Sequence, residues 1–401
     1  MSTTPHVFIV AGEESGDRLG AALIAALKVA TQGAVRVSGI GGAHMAEAGV
    51  ASPFALGDLA IMGFAAIPAR LPLILRRIRE AADAAVAAKP DVLVIVDSPE
   101  FTHRVARRVR ARAPHIPIVD YVCPSVWAWR PGRARTMRTY IDRVLALLPF
   151  EPEAMRRLGG PPTDYVGHPL AEAVARLRPN AEEARRRLAD PPVLLVLPGS
   201  RSGEVRRMAS VFGDAVARIA ADAGPLEIVV PAVPRLAGLV RAAVAQWPVA
   251  ARAVTDAAEK DAAFRTARAA LTKSGTSTLE LAVAGVPMIA AYKVSLFEEA
   301  IARLLVKADS AILANLVLGE RAVPEFLQRD ATPEKLAAAL TPLLSDTPQR
   351  RAQAAALARL DAVMEIGTAA PAARAAALVL EAAQRLNQSA QGPVTAPGGQ
   401  E

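Results

Sequence analysis

The chain of 401 residues is long enough for two domains of ordinary size, each with its own core. Its single cysteine excludes a disulfide within this sequence, and its five histidines stand at no spacing typical of a zinc site, so we expect no resident metal. The net charge of +8 favours an anionic partner. The candidates are nucleic acid, a phosphorylated small molecule and an acidic membrane surface.

Short apolar runs alternate with helical patterns, which is typical of parallel sheets covered by helices on both faces. The predicted strands are residues 7–11, 35–40, 92–96, 116–122 and 144–148, then 193–197, 226–230, 269–272 and 286–292. We therefore predict an α/β fold of two Rossmann-like, doubly wound domains that face a central cleft. The predicted domains are 1–170, completed by a C-terminal helix at 367–387, and 171–366, followed by a disordered tail at 388–401.

The N-terminal residues lack the basic region and the long apolar run of a secretory signal. No segment reaches the roughly 18 apolar residues that span a bilayer, so we expect a cytoplasmic protein. The arginines are scattered along helices without a nucleic-acid-binding signature, which makes nucleic acid the least favoured anionic partner.

The first predicted strand runs into the glycine-rich turn and helix of VFIVAGEESGDRLGAALIAAL, residues 7–27. This layout is the usual cradle of a nucleotide phosphate. However, the carboxylates of Glu13, Glu14 and Asp17 would repel a pyrophosphate. The turn therefore needs another ligand, and Glu13 or Asp17 is expected to cap the helix.

Residues 64–86, FAAIPARLPLILRRIREAADAAV, predict an amphipathic helix. Its apolar stripe comprises Ile67, Leu71, Ile74, Leu75 and Ile78. Leu73 projects outside the stripe, among arginines. The stripe either packs in the core or lies in a membrane interface, and the residues alone favour the core.

The strand in DVLVIVDSPEF, residues 91–101, delivers Asp97 to its carboxyl end, the edge at which open α/β sheets bind ligands. A carboxylate at this edge is a candidate general base. The alternative is that Asp97 caps the helix that begins near Pro99.

The stretch CPSVWAWRPGRARTMRTY, residues 123–140, carries Trp127 and Trp129 beside several arginines. Aromatic and basic side chains together serve single-stranded nucleic-acid binding, but one short cluster gives this interpretation little support. We favour a rigid loop in which Arg130 or Arg133 meets a substrate phosphate.

Two strand-to-helix turns of the second domain predict an anion site. In LLVLPGSRSGEVRRM, residues 194–208, Gly199, Ser200 and Arg201 offer backbone N–H groups, a hydroxyl and a guanidinium, although an ordinary turn capped by Ser202 is the alternative. The second turn lies in ALTKSGTSTLELAVAGVPMIAAY and offers a lysine, a glycine and three hydroxyl groups, which belong to Lys273, Gly275, Thr276, Ser277 and Thr278. Two such turns suggest a diphosphate held between them.

Glu280 follows the second turn, where it either closes a capping box with Ser277 or accepts hydrogen bonds from ribose hydroxyls. The Gly-Thr/Ser-rich turn, this glutamate and AVAGVP are similar to GT-B glycosyltransferases that use a UDP-sugar. Together with VAGEESGD, SGIGGAHMAEAG, VDSPEF, PSVWAWRPGRARTM, VGHPL and LPGSRSGEV, they make the chain resemble the lipid-A-disaccharide synthase family, from near its start to about Asn387.

The resemblance implies a metal-independent, inverting hexosyl transfer that needs no cofactor. UDP-2,3-diacylglucosamine is joined to 2,3-diacylglucosamine 1-phosphate, which gives the β-1,6-linked disaccharide of lipid A and UDP. The implied partners are these two substrates and the anionic inner face of the cytoplasmic membrane, and nucleic acid is not among them. Whether the chain forms a homodimer stays open.

The resemblance also implies roles for single residues, with Asp97 as the catalytic base. The implied acceptor-binding residues are Glu14, Ser15 and Arg130. The implied nucleotide-binding residues are Gly199, Ser200, Arg201, Lys273, Gly275, Thr276, Ser277, Thr278 and Glu280. The implied membrane contacts are Leu71, Leu73 and Leu75. Further substrate-binding residues are Asn315, Glu325 and Gln328, of which the last two are expected on one helical face.

Four positions depart from the family pattern. Glu100 and Thr102 stand where the family usually has Asp and Asn, and Ala65 and Ala66 stand where it has an acidic residue. These departures bear on acceptor binding more than on the type of reaction.

Two alternatives compete with this interpretation. Another UDP-N-acetylglucosamine-dependent GT-B enzyme, either a peptidoglycan-type transferase or an epimerase, would share the turn and the glutamate but should lack PSVWAWR and EESGD. A non-catalytic basic protein that binds RNA or a membrane would fit the net charge alone.

Overall fold

The computed structural model describes residues 4–59, 67–295, 299, 310–368 and 370–390, with the backbone alone at 67–69 and 385–390. Ala65 and Ala66 lie outside these residues, as does the predicted tail beyond residue 390. The chain divides into two compact units. Unit 1 comprises Met1–Pro169 and Ala370–Glu401, and unit 2 comprises Leu170–Ala369.

Unit 1 contains a parallel sheet with helices between its strands. The strands are β1 His6–Ala11, β2 Arg36–Ile40, β3 Val92–Val96, β4 Ile118–Tyr121, β5 Arg143–Ala146 and β6 Thr163–Tyr165. The helices are α1 Glu14–Ala30, α2 Ala43–Glu47, α3 Ile67–Ala88, α4 Pro99–Arg112, α5 Gly132–Met137, α6 Glu151–Arg157 and the C-terminal helix Pro371–Ala390.

The sheet of unit 1 has the strand order β2-β1-β3-β4-β5-β6, so the order reverses between β1 and β3. Val7 of β1 pairs with Val37 on one side and with Val92 on the other. Both β1 and β3 are buried along their whole length, which is why they appear in the sequence as continuous apolar runs. Open α/β sheets bind ligands at the carboxyl edge of such a reversal, here between β1 and β3.

The C-terminal helix completes the core of unit 1. Ala375, Ala376 and Val379 are fully buried in one cluster with Leu23 and Leu27 of α1. The helix continues through Ala390, into the segment predicted to be a disordered tail. Burial of this small-residue face ties the last helix to the first domain in sequence.

Unit 2 contains a second parallel sheet. Its strands are β7 Val193–Leu197, β8 Glu227–Pro231, β9 Arg252–Val254, β10 Ala269–Lys273, β11 Met288–Tyr292 and β12 Glu325–Leu327. The helices are α7 Val174–Leu177, α8 Ala181–Leu188, α9 Ser202–Ala223, α10 Ala237–Val244, α11 Ala257–Thr266, α12 Ser277–Val283, α13 Leu313–Leu318, α14 Pro333–Leu340, α15 Pro348–Ala358 and α16 Leu360–Val363. Across the described residues, short 3-10 helices lie at Leu56–Leu59, Pro169–Ala171, Pro234–Leu236, Gln328–Asp330 and Thr341–Leu344.

The sheet of unit 2 has the strand order β12-β11-β10-β7-β8-β9, which reverses between β7 and β10. The turns that follow these two strands are those predicted to bind an anion, and the reversal brings them to neighbouring positions on one edge. Three strands absent from the prediction, β6, β9 and β12, are three residues long and form sheet edges. Their mixed polarity gives no apolar run to recognise.

Candidate active site

The turn after β3, at the carboxyl edge of unit 1, has an unusual backbone conformation. Asp97 and Ser98 both have left-handed backbone, with φ of +51° and +48°, which costs of order 1–3 kcal/mol for each residue. The Asp97 N–H donates to the Tyr121 carbonyl at 3.0 Å. The Thr102 hydroxyl donates to the carbonyls of Asp97 and Ser98, at 2.6 and 3.1 Å. These bonds hold the turn in a conformation that the residues alone do not favour.

Two glycines let the turn after β1 approach this constrained turn. A Cβ on Gly12 would lie 2.6 Å from the Ser98 Cβ, and a Cβ on Gly16 would lie 2.9 Å from the Val96 carbonyl oxygen. Real Cβ atoms essentially never lie so close to another heavy atom, so a larger residue at either position would push the turns apart. The glycine-rich turn therefore serves close backbone packing beside Asp97.

The Asp97 carboxylate lies at the junction of the two turns. Its Oδ1 accepts a hydrogen bond from the Ser98 N–H at 2.7 Å, and its Oδ2 lies 3.0 Å from the Ser15 hydroxyl. The same hydroxyl lies 2.7 Å from Oε1 of Glu13, so its single proton is shared between two carboxylates. Helix α4 begins after Ser98 without a side-chain cap, so the capping alternative for Asp97 does not match the geometry.

The other two carboxylates of the first turn have protein partners. Glu14 forms an ion pair with Arg18 on the exposed face of α1. Asp17 is buried and accepts hydrogen bonds from the backbone N–H groups of Gly42, His44 and Met45. Asp17 therefore caps α2 rather than its own helix, which differs from the predicted cap.

Arg130 and Arg133 are engaged differently. Arg133 donates to Oε1 of Glu100 at 3.0 Å and to the Pro99 carbonyl at 3.2 Å. The Arg130 guanidinium instead lies over the Trp129 ring, 4.4 Å from its centroid, and the residue is exposed. Of the two arginines, Arg130 has the guanidinium that is better placed to meet a solvent-borne anion.

Glu151 is buried beneath the tryptophan loop. The Trp127 indole N–H donates to its Oε1 at 3.2 Å, and the Leu148 N–H donates to its Oε2 at 2.9 Å. Burial raises the pKa of Glu151 to about 7, and the hydrogen bonds from Leu148 and Trp127 oppose this shift less strongly. The carboxyl group that anchors Trp127 therefore titrates near neutrality.

We expect Glu151→Gln to remove a pH-dependent loss of stability. A glutamate whose pKa is raised on folding contributes stability in full below the unfolded value of 4.5, and this contribution is lost as the pH rises through 7. Between about pH 5 and about pH 8, the free energy of unfolding of E151Q should rise by about 2–3 kcal/mol relative to the wild type. Urea denaturation measures this difference, with the exposed Glu153→Gln as control. Parallel pH dependence of E151Q and the wild type would contradict the expectation.

Glu204, which is not among the predicted site residues, bridges the two turns of unit 2. Its Oε2 accepts from the N–H groups of Ser200 and Arg201, at 3.0 and 3.3 Å. Its Oε1 lies 3.1 Å from Nζ of Lys273 and 3.4 Å from Nη1 of Arg201. A Cβ on Gly199, where φ is +130°, would lie 2.6 Å from the Glu204 side chain, so only glycine fits there.

The start of α9 therefore differs from the alternative in which Ser202 caps the helix. Arg201 occupies the N-cap position, and Glu204 closes the box by accepting from the Arg201 N–H. Burial alone would raise the pKa of Glu204, but Lys273, the Ser200 N–H and the charge of Arg201 together outweigh it, and the pKa is lowered. The group is a carboxylate at neutral pH.

The three hydroxyls of the second turn face different ways. The Thr276 side chain is exposed at the start of α12. The Ser277 hydroxyl lies 3.1 Å from that of Thr272, and the buried Thr278 hydroxyl donates to the Gly275 carbonyl at 2.8 Å. Helix α12 has no side-chain cap, so the capping box proposed for Glu280 is absent.

Asn315 and Glu325 are bonded to each other near the β12 end of the sheet, and Gln328 has separate partners. The buried Asn315 amide exchanges two hydrogen bonds with the Val323 backbone and donates to Glu325 at 2.9 Å. Gln328 accepts from the Val294 N–H at 2.8 Å. Glu325 lies in β12 and Gln328 begins a 3-10 helix, so the expectation that they share a helical face is wrong.

The predicted membrane contacts on α3 differ in exposure. Leu75 packs with Ile74 against the core of unit 1, where Ile78 is fully buried. Leu71 is 41% exposed, and Leu73 is partly exposed. The C-terminal part of the stripe is therefore core, which leaves Leu71 and Leu73 as candidates for contact with lipid.

Within the part of the chain that the structure describes, no three His, Cys, Asp or Glu side chains group in a way that could hold a metal ion. No helix among those residues is both long enough and apolar enough to cross a bilayer. Cys123 is a buried free thiol whose pKa is raised by burial.

The sequence matches known proteins over almost its whole length. The family model for lipid-A-disaccharide synthetase matches residues 7–378. The lipid-A-disaccharide synthase of Nitrobacter hamburgensis is 58% identical over 380 residues, which cover 95% of this chain and 96% of the relative. That of Bradyrhizobium diazoefficiens is 56% identical over 374 residues, 93% of this chain and 95% of the relative. The chain belongs to the lipid-A-disaccharide synthase family.

Solved structures support the fold of this lipid-A-disaccharide synthase family member. MurG of Acinetobacter baumannii has a TM-score of 0.58 and is 16% identical, covering 94% of this chain and 99% of that chain. A UDP-GlcNAc 2-epimerase of Neisseria meningitidis has a TM-score of 0.59 and is 13% identical, covering 95% of this chain and 100% of that chain. At such identities the likeness concerns the fold alone, and the predicted GT-B fold of two Rossmann-like domains is confirmed.

Two departures from the lipid-A-disaccharide synthase pattern are visible in the structure. Glu100 is held by Arg133, and Thr102 supports the backbone of Asp97 and Ser98. Thr102 is fully buried, so its methyl and hydroxyl groups face the turn rather than solvent. The residue that departs from the family pattern at position 102 thus supports the backbone of the candidate base and does not lie on an open surface.

Proposed function

We propose that the chain joins UDP-2,3-diacylglucosamine to 2,3-diacylglucosamine 1-phosphate, forming the β-1,6-linked disaccharide 1-phosphate and releasing UDP. Membership of the lipid-A-disaccharide synthase family supports the reaction class. The observation that carries the assignment of chemistry is Asp97, a carboxylate fixed by left-handed backbone at the strand reversal of unit 1.

In the proposed reaction, Asp97 is the general base. It accepts the proton of the acceptor 6-hydroxyl while that oxygen attacks C1 of the donor sugar. The O6–C1 bond forms as the bond between C1 and the phosphate oxygen breaks, which inverts C1. Ser15, whose hydroxyl lies 3.0 Å from Asp97, is placed to orient the carboxylate or to bind a sugar hydroxyl.

Unit 2 is proposed to hold the nucleotide of the donor. The ammonium of Lys273, the guanidinium of Arg201 and the N–H of Ser200 would stabilise the diphosphate as negative charge develops on the leaving group. Thr276 adds an exposed hydroxyl, and Glu280 is assigned to the ribose. Cationic side chains thus supply the charge that some other transferases take from a metal ion.

The 1-phosphate of the acceptor is assigned to Arg130. Its guanidinium is exposed and stacked on Trp129, which orients it, and its charge also acts on the nearby Glu100 carboxylate. Glu14 is a weaker candidate for the acceptor sugar than Ser15, because it would first have to release Arg18.

Product analysis tests the proposed function. The purified chain is incubated in detergent micelles with both monosaccharide substrates, and disaccharide 1-phosphate and UDP are quantified by mass spectrometry. We expect both products in equal amounts. Turnover of UDP-N-acetylglucosamine without any diacylated product would support the alternative UDP-sugar enzymes instead.

We also propose that α3 contacts the anionic membrane surface in which the acylated substrates reside. Leu71 is exposed beside Arg70, and Leu73 is partly exposed near Arg76. Solvent-accessible leucines beside arginines near the start of a helix combine apolar insertion with attraction to anionic headgroups.

The double variant Leu71→Ser/Leu73→Ser should bind vesicles of anionic phospholipid about tenfold more weakly than the wild type, because less apolar surface enters the interface. Vesicle co-sedimentation measures the binding, and UDP affinity should not change. Leu188→Ser is the matched control, since Leu188 is a 70% exposed leucine in unit 2. Vesicle binding of the double variant at the wild-type level would exclude α3 as the contact.

A further inference from the structure

The Glu204 carboxylate already uses the hydrogen-bond donors that the proposed function gives to the diphosphate. The N–H groups of Ser200 and Arg201 donate to its Oε2, and Nζ of Lys273 lies 3.1 Å from its Oε1. The Arg201 guanidinium lies 3.4 Å from the same Oε1. The backbone N–H groups of Ser200 and Arg201 have one proton each, so a diphosphate that accepts these protons must displace the carboxylate. On the side chains of Lys273 and Arg201, the carboxylate offsets part of the positive charge that a diphosphate would meet.

Glu204 makes more contacts than helix capping requires. A cap needs the N–H groups at the start of α9 alone. Glu204 also binds Lys273, which belongs to the other turn and is 69 positions away in the chain. The Glu204 side chain is 3% exposed and that of Lys273 is 14% exposed, so water competes little for this contact. The carboxylate links both turns across the strand reversal.

The charge of Glu204 persists at neutral pH, because Lys273, the Ser200 N–H and Arg201 together outweigh the effect of burial on its pKa. Gly199 lets the backbone fold around the carboxylate, since any Cβ there would meet the Glu204 side chain. The turns thus form around an anion that belongs to the protein itself.

We propose that Glu204 is an internal competing anion, which occupies the diphosphate donors when the nucleotide is absent, weakens nucleotide binding and speeds the release of UDP. The inference rests on the proposed function, because it assigns these donors to a diphosphate. When UDP leaves, the carboxylate returns to Ser200, Arg201 and Lys273, so the empty turns keep their conformation.

Isothermal titration with UDP and with uridine tests this inference. Glu204→Gln keeps the size of the side chain and one acceptor for the Ser200 N–H, but loses the charge. UDP should bind E204Q about tenfold more tightly than the wild type, and uridine, which has no phosphate, should bind both equally. The inhibition constant of UDP as a product and the KM for the donor should both fall by the same factor. Glu259→Gln, at an exposed carboxylate on α11, is the matched control and should change neither affinity.

Glu204→Asp provides a second variant that keeps the charge, in case the loss of the Lys273 partner prevents E204Q from folding. The shorter side chain cannot reach both turns, so UDP binding should again be tighter, by a smaller factor. Unchanged or weaker UDP binding in the folded variants would overturn the inference and leave Glu204 as a cap alone. If the wild type binds no UDP, the proposed function itself fails, and that result is distinct from either outcome in the variants.

Discussion

Asp97→Asn should lower kcat by about 10²–10⁴-fold, because an amide cannot accept the proton of the attacking hydroxyl. The structure favours an intact fold, since the Asn oxygen can still accept from the Ser98 N–H at the position of Oδ1. UDP affinity should stay at the wild-type level, because the proposed nucleotide residues lie in unit 2 and Asp97 lies in unit 1.

Asp91→Asn is the matched control for this variant. Asp91 precedes the amino end of β3, the strand that Asp97 follows, and its carboxylate accepts from the His6 N–H at 2.7 Å. An asparagine can make the same bond, so D91N should keep wild-type turnover. Turnover of D97N above about a tenth of the wild-type value, with UDP affinity unchanged, would remove Asp97 as the base.

Lys273→Gln should weaken UDP binding by about ten- to a hundredfold and lower turnover by about 10²-fold, since it removes the most buried cation of the proposed diphosphate site. Glutamine is preferable to alanine because its amide can still donate to Glu204, which would otherwise become an unpaired buried charge. Titration with UDP and steady-state kinetics measure the two effects.

Lys335→Gln is a suitable control for Lys273. Lys335 pairs with Asp330 on an exposed face of unit 2, where loss of one ion pair has little effect. Equal UDP affinity of K273Q and the wild type would show that the diphosphate lies elsewhere, and would remove the basis for competition by Glu204.

The strands that position the site are the part of the fold that was most predictable from the sequence. The strands β3 and β7 are buried along their whole length, so uninterrupted apolar residues mark their ends correctly. Asp97 directly follows β3 and Ser200 stands three positions after the end of β7, so both are readily recognised as ligand-edge candidates. Edge strands such as β12 have no continuous apolar run, and for that reason the sequence alone suggests a helix at Glu325.

The geometry around the candidate residues was less predictable, because it depends on contacts between distant segments. The left-handed backbone of Asp97 and Ser98 is fixed by hydrogen bonds with Tyr121 and Thr102. No sequence pattern predicts a positive φ at an aspartate. The spacing of Arg201 and Glu204 fits a capping arrangement, but its link to Lys273 appears only when β7 and β10 pair.

The α3 stripe shows a further limit of sequence patterns. An apolar stripe looks the same whether it faces a core or a membrane. The structure separates its members, with Leu75 against the core and Leu71 exposed, because the described neighbouring elements cover only the C-terminal part of the stripe.

Stereochemistry provides the most direct test of the account, in which a single base, Asp97, promotes one displacement at C1 of the donor sugar. The measurement is proton NMR of the disaccharide that the wild-type enzyme makes from α-linked UDP-2,3-diacylglucosamine and 2,3-diacylglucosamine 1-phosphate. Because a single displacement inverts C1, we expect the large coupling between H1 and H2 of a β-1,6 linkage, with one UDP released for each disaccharide. An α linkage, or the absence of a disaccharide while UDP is released, would contradict it.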